Sequence, residues 1–164
     1  MITEKQLKQF KDWGLEYLVP IDKNTKKPIP KKFYSNGKTE HHWKLDPQTE
    51  KPIKYSDEEL LNAWGVGVSL APCRMIGVDA DAIESSDYMS EFPETLTIGK
   101  KVNGKTLIRQ KLYKVDEDVQ HLNFGKGTDE GTVIELLSHT QSVLTGGNRI
   151  IYNNVQPKTL SKHE

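Results

Sequence analysis

Met75-Ile76-Gly77-Val78-Asp79-Ala80-Asp81-Ala82 is the stretch whose reading decides the fold. An apolar run ends in a D-x-D pair. In a strand, alternate residues face opposite ways, so Ile76, Val78 and Ala80 share one face while Asp79 and Asp81 share the other. The two aspartates then lie roughly 6.5–7 Å apart along the backbone, near enough for their carboxylates to converge on one or two cations. Like charges this close repel unless something positive stands between them. A hard divalent cation such as Mg²⁺, which prefers oxygen ligands, removes the conflict.

Further along, Val133-Ile134-Glu135-Leu136-Leu137 sets one carboxylate among apolar neighbours. With Ile134 and Leu136 toward the core, Glu135 faces the other way, as the two aspartates do. Three carboxylates on the common face of neighbouring strands would make a two-metal site for attack on a phosphoryl group. Between them lie Lys100, Lys101, Lys105 and Arg109, cations suited to holding a triphosphate.

The rest of the chain supports a globular α+β domain. Thr3-Glu4-Lys5-Gln6 and Ser56-Asp57-Glu58-Glu59 have capping-box spacing, each followed by an apolar helical face: Leu7, Phe10 and Trp13, then Leu60, Leu61 and Trp64. The stretch 17–21 predicts a brief strand that Pro20 either confines to an edge or ends early. Residues 22–55 predict a long surface loop or two short hairpins, with His41-His42 an exposed pair beside a packed Trp43. The stretch 66–70 predicts a strand, and the short Ala71-Pro72-Cys73 link predicts that it forms a hairpin with the Asp79 strand. Residues 84–94 predict a short helix or loop. From Thr95 the chain is strand-rich, with Asn103-Gly104 marking a tight hairpin. The strand after it alternates Leu107, Arg109, Lys111 and Tyr113 on one side. Short strands follow near 121–124, at 133–137, 142–144 and 149–152, and no internal repeat is evident. Helices first and an antiparallel-leaning sheet after them give the α+β class.

Composition narrows the functional classes. The 164 residues are enough for one domain with a proper core. Twenty-three basic and twenty-three acidic side chains give no net charge, so nucleic-acid binding would need a local basic patch. Lys26, Lys27, Lys31 and Lys32 form one such cluster. The one cysteine, Cys73, excludes an internal disulfide and a multi-cysteine zinc site, and reads as a buried or half-buried thiol. Neither a signal peptide nor a membrane-length apolar run is present, so the reading is an intracellular, cytoplasmic protein with no membrane partner.

Taken in order, these segments resemble the catalytic domain of the archaeo-eukaryotic primase superfamily, specifically the primase–polymerase domains of plasmids and phages. Gly65-Val66-Gly67-Val68 leading into Ile76-Gly77-Val78-Asp79-Ala80-Asp81 resembles the family's first metal motif. The stretch 93–100 followed by Gln110-Lys111-Leu112-Tyr113 resembles its middle segment. Ile134-Glu135-Leu136-Leu137 followed by Gln141-Ser142-Val143-Leu144-Thr145-Gly146-Gly147 resembles the third motif and its trailing strand, and the Ser56-capped helix ending in Trp64 sits where the family has one. The resemblance covers nearly the whole chain, with 1–152 as the catalytic domain and 153–164 as a polar tail or linker.

The resemblance implies an RRM-like, mostly antiparallel sheet packed with helices, plus a smaller αβ unit and an active site in the cleft between them. It implies that Asp79, Asp81 and Glu135 hold two Mg²⁺ or Mn²⁺ ions for template-directed nucleotidyl transfer, a DNA primase or polymerase activity. Lys100, Lys101, Lys105, Arg109, Gln110, Lys111 and His139 would contact the nucleoside triphosphate. Lys26, Lys27, Lys31 and Lys32 would contact single-stranded or primed DNA through its phosphates. A fused or separate replicative helicase is an implied partner. One departure stands: the family's middle motif ends in a histidine, and Gln110 occupies that position here. Arg109 and Lys111 stand beside it, and strict alternation puts Arg109, which could supply the charge, on the opposite face from Gln110. Two other readings stay open: a catalytically weak relative that binds single-stranded DNA or nucleotides as a replication module, and a metal-dependent phosphodiesterase using the same carboxylates.

Overall fold

Asn-Gly pairs and capping boxes set the local frame. A computed structural model describes residues 1–80, 89, 92–115, 122–124 and 134–160. Helix α1 (Glu4–Asp12) opens on Thr3, whose side chain accepts from the Gln6 backbone N–H while the Gln6 side chain returns to the Thr3 N–H. Helix α2 (Asp57–Leu61) opens on Ser56 and Glu59 in the same way. Hairpin β2 (Lys31–Ser35) and β3 (Lys38–His42) turns at Asn36-Gly37, and hairpin β6 (Leu96–Val102) and β7 (Lys105–Val115) turns at Asn103-Gly104. All four turn residues have positive φ, between 51° and 77°, as the tight hairpin turn requires.

The remaining strands are β1 (Leu18–Ile21), β4 (Gly65–Ser69), β5 (Met75–Ala80), β8 (Leu122–Phe124), β9 (Ile134–Leu137), β10 (Gln141–Thr145), β11 (Arg149–Asn153) and β12 (Lys158–Leu160). They form a three-stranded sheet in the order β1-β4-β10 and a larger sheet in the order β11-β6-β7-β5-β9-β8. Pro20 lies in β1, an edge strand, as expected. The pairings among these strands are antiparallel except for β12, which runs parallel beside the end of β7. The α+β class therefore holds, with mostly antiparallel sheets. No helix among the described residues is long and apolar enough to cross a membrane.

Three expectations need correcting. β4 and β5 do not form a hairpin: β4 pairs with β1 and β10, whereas β5 pairs with β7 and β9. Both strands are buried throughout, so each needs two neighbours of its own, and the short link carries the chain from one sheet to the other. The stretch after Asn153 is not simply a polar tail, because Lys158 donates its backbone N–H to Thr95 Oγ1 at 2.8 Å and β12 joins the larger sheet. The alternation expected for β7 is broken by a bulge, described below. The helix or loop expected at 84–94 falls largely outside the described residues.

The chain crosses between the sheets twice more, from β9 to β10 and from β10 through Gly146-Gly147-Asn148 into β11. Between the sheets lies the main core, where Val66, Val68 and Leu144 of one meet Leu96, Ile98 and Leu112 of the other, with Phe10 of α1. Truncating one of these leucines to Ala costs about 2–5 kcal/mol. Ile76, Val78, Ala80, Met89 and Tyr113 make a second cluster on the far face of the larger sheet. Asp79 therefore lies on the face opposite Ile76, Val78 and Ala80, as the alternation requires.

Two loops share one design. Asp22 Oδ2 accepts from the N–H groups of Asn24 and Thr25, and Asp46 Oδ1 from those of Gln48 and Thr49. Thr25 and Thr49 accept in turn from Lys27 and Lys51, and Lys26 and Glu50 take positive φ of 60° and 58°. This equivalence escapes a search for long repeats because it spans only a few residues.

Glu59 gives a pH test of the α2 start. Its carboxyl is held below the usual range, first by the Ser56 backbone N–H and also by Lys31, whose Nζ lies 3.3 Å from Glu59 Oε1. A depressed folded pKa adds stability above the ordinary carboxylate range and loses it as pH falls through the folded value. Glu59→Gln is expected to be less stable than wild type at neutral pH and equal to it in acid, read from urea titrations across pH.

Candidate active site

Asp79 sits near the end of β5 with a neighbour on each side: Gln110 of β7 and Glu135 of β9 are its register partners. The row continues to Ile98 of β6 beyond Gln110 and to Asn123 of β8 beyond Glu135. Directly opposed positions on an antiparallel pair have Cβ atoms about 4.5–5.5 Å apart and lie on one face. Asp79 and Glu135 are thus brought together, from strands that lie far apart in the chain. Asp81 falls outside the described residues.

Only 6% of Asp79 is exposed, and a buried carboxylate needs positive charge or hydrogen-bond donors nearby. Arg109 supplies charge. Its Nη2 lies 3.9 Å from Asp79 Oδ1, and its Nη1 donates to the Ala80 carbonyl. A β-bulge makes this possible: Ile98 pairs with Gln110 but Gly99 pairs with Ile108, so Arg109 has no residue opposite it. An extra residue of this kind bends the strand and re-aims its side chain. Arg109 is accordingly not grouped with Lys111 and Tyr113, as strict alternation would have it. Ile108 packs with the far-face cluster instead.

Gln110, at the position of the family's histidine, is engaged within the protein. Its Oε1 accepts from Ser142 Oγ of β10, and both side chains are buried. The bond ties the two sheets together beside Asp79. Lys111 is directed elsewhere, its Nζ donating to the Phe92 carbonyl at 2.9 Å. Burial holds its pKa below the usual lysine value, against an opposing pull from Glu94.

Arg149, at the start of β11, completes the charged group and was not singled out by the sequence. Burial first, and the like charge of Arg109 second, hold its pKa below the usual arginine value, while Asp79 acts in the opposite sense. It pairs in register with Lys100, and both line a cleft of about 460 Å³ together with Lys26, Trp64, Gly146 and Gly147. Lys26 Nζ stands 4.1 Å from the centre of the Trp64 ring. Gly146-Gly147 is a legible signal after the fact, since paired glycines often mark a close backbone approach.

The other expected contacts are dispersed. Lys101 and Lys105 are exposed near the β6–β7 turn and do not line this cleft. His139 is exposed beyond the end of β9, which runs antiparallel to β5. It therefore lies toward the Met75 end of β5, away from Asp79. Lys27 and Lys32 are exposed, whereas Lys31 pairs with Glu59 and stands 5.0 Å from the Tyr55 ring centre. His42 pairs with Glu40 at 3.1 Å, and Cys73 is buried with its Sγ accepting from the Tyr17 N–H.

No protein-family model matches the chain, and no curated protein matches it in sequence. Any assignment of activity therefore rests on the residues themselves.

Among the described residues no group of three or more His, Cys, Asp or Glu could hold a metal ion. Asp79 and Glu135 nonetheless fit one in chemistry: residues of the hard oxygen-donor type hold opposed register positions, as a shared divalent cation would require.

The Gln110–Ser142 tie is open to test. Ser142→Ala leaves a buried amide oxygen without that donor, and is expected to cost about 1–3 kcal/mol. Lys105→Ala, at an exposed position, is expected to stay within about 0.5 kcal/mol. Urea denaturation of the two variants checks both values.

Proposed function

We propose that this chain is a primase–polymerase catalytic domain that extends a DNA strand by metal-dependent nucleotidyl transfer. The observation that carries the reading is the opposed placement of Asp79 and Glu135 across β5 and β9, with Arg109 and Arg149 beside Asp79. A pair of carboxylates next to a pair of guanidinium groups suits a reaction in which a polyanionic substrate meets divalent cations.

On this reading Asp79 and Glu135, with Asp81 as the resemblance implies, would hold Mg²⁺ or Mn²⁺. Such ions lower the pKa of an attacking hydroxyl and offset charge on a triphosphate. The protein's own side chains would bind and orient. Arg109 balances the carboxylate when no substrate is present and offers charged donors to phosphate when one is. The bulge supports this substitution, because it gives the strand a cation on the Asp79 face where Gln110 is committed to Ser142. Exposed lysines such as Lys27 and Lys32 would meet template phosphates, contacts that tolerate any base sequence. A template, nucleoside triphosphates and a replicative helicase are the partners this proposal entails, in an intracellular setting.

That same commitment of Gln110 favours one competing reading, a weak relative that binds nucleotides or single strands without catalysis. Primer extension separates the two. With primed template, dNTPs and Mn²⁺, extension is expected for the wild type and should vanish in Asp79→Ala. Glu135→Gln should lose most activity with its thermal unfolding little changed. Arg109→Ala should raise the dNTP KM more than it weakens DNA binding. DNA binding without extension in the wild type overturns the enzyme in favour of the module, and cleavage of DNA without added nucleotide points to a phosphodiesterase.

A further inference from the structure

Hairpin β2–β3 stands apart from both other sheets as a two-stranded sheet of its own. Its base is anchored. Phe33 of β2 and Trp43, just past β3, pack on the main core, and Lys31 pairs with Glu59. β3 itself has little cover. Lys38, Thr39, Glu40 and His41 are exposed and His42 is half-buried. Among the described residues the backbone of 38–42 bonds to β2 alone. A two-stranded sheet is marginally stable by itself and gains from a third strand.

The open edge is regular. The register from Lys31↔His42 to Ser35↔Lys38 runs without a bulge, and no proline interrupts either strand. Asn36-Gly37 closes a two-residue turn, so Ser35 and Lys38 are the first bonded pair. Bonded and non-bonded pairs alternate from there, and Thr39 and His41 therefore turn their N–H and C=O groups outward. Such a row is a template for an added strand. Charge selects what can lie on it. Residues 31–44 hold Lys31, Lys32, Lys38, Lys44, His41 and His42 against one acid, Glu40, which pairs with His42 Nε2 at 3.1 Å. The whole chain has no net charge, so the excess is local to this arm. A second copy fits poorly, since antiparallel pairing of β3 about its centre sets Glu40 against Glu40 and Lys38 against His42. On the outer face Tyr34, 72% exposed, stands opposite Thr39 and offers an apolar ring to an incoming side chain.

We infer that the outer edge of β3 docks an acidic, extended segment of another protein, which adds to the hairpin as a third strand. Backbone bonds to Thr39 and His41 supply affinity, and side chains of alternate residues supply selectivity. Lys38 at one end of the edge and Lys44 just past the other select for carboxylates. Lys44 Nζ stands 5.1 Å from the centre of the Trp43 ring, which keeps it near the strand end. A nucleic-acid strand shares the charge preference, but its sugar–phosphate backbone has no N–H donors to meet the outward carbonyls, which favours the peptide. The inference does not rest on the nucleotidyl-transfer reading, because neither β3 nor Lys44 belongs to the carboxylate row.

Fluorescence anisotropy with a labelled eight-residue peptide of alternating Glu and Val tests the edge on the intact protein. The peptide should bind about tenfold more tightly than its Lys–Val counterpart, and Lys38→Glu combined with Lys44→Glu should remove that preference. The same Glu–Val peptide with its amides N-methylated keeps its charge and loses its donors, and should bind about tenfold more weakly. Thr39→Pro removes an outward N–H without breaking a bond to β2, and should cost about as much, whereas Thr39→Ala should change binding less than about twofold. If Thr39→Pro disturbs the hairpin, the N-methylated peptide on the wild-type protein decides. No binding of the Glu–Val peptide overturns the inference, as does equal affinity for the N-methylated or the Lys–Val peptide. Displacement of the peptide by oligo-dT, with oligo-dT binding unchanged by Thr39→Pro, overturns it in favour of single-stranded nucleic acid. A dimer of the protein alone in analytical ultracentrifugation, lost in Thr39→Pro, overturns it in favour of a second copy.

Discussion

Burying a carboxylate inside a sheet constrains every neighbour, and Asp79 does so here from a strand paired on both sides. A charge taken from water costs several kcal/mol unless its surroundings supply compensation. On β7 the compensation is a bulge that turns Arg109 toward Asp79. On β11 it is Arg149, close enough for the three charges to influence one another. On β9 the register partner of Asp79 is Glu135, a second acidic residue. Positions that work against folding in this way are expected where function has set the residue, and the same tension supports reading the row as a site.

The two sheets are coupled around this point. The Gln110–Ser142 bond joins them directly, and the chain itself passes between them before β5, before β10 and before β11. The passages into β5 and β11 each lead into a strand that carries a charged member of the site. A shift of one sheet over the other would therefore move Asp79 or Arg149 relative to the rest, so the main core between the sheets also positions the cleft.

Much of this was legible from sequence where the controlling interactions are local. Both capping boxes, the Asn103-Gly104 turn, the edge position forced by Pro20 and the facing of Asp79 follow from spacing of a few residues. What was not legible depends on residues far apart. Nothing in Thr106-Leu107-Ile108-Arg109 announces that β6 will skip a partner, so alternation misplaced Arg109. The Ala71-Pro72-Cys73 link is short enough for a hairpin, and only the competing partners β7, β9 and β10 reveal a crossing. Arg149 reaches the cleft through the β10–β11 turn, which packs on Trp64, a non-local approach hinted at only by paired glycines. Lysines were judged by their order between acidic strands, which says little about the direction in which each is turned.

The twin Asp-Thr loops carry a consequence for how such a cleft changes over time. In each, the aspartate and threonine hold the backbone, and one residue with positive φ joins the turn only through its backbone N–H, donated to the aspartate carbonyl: Lys26 in the first loop, Glu50 in the second. The frame accepts opposite signs of charge at equivalent places. Electrostatic character at the cleft mouth can thus drift by single substitutions while the scaffold stays still, so ligand preference and fold are free to evolve at separate rates.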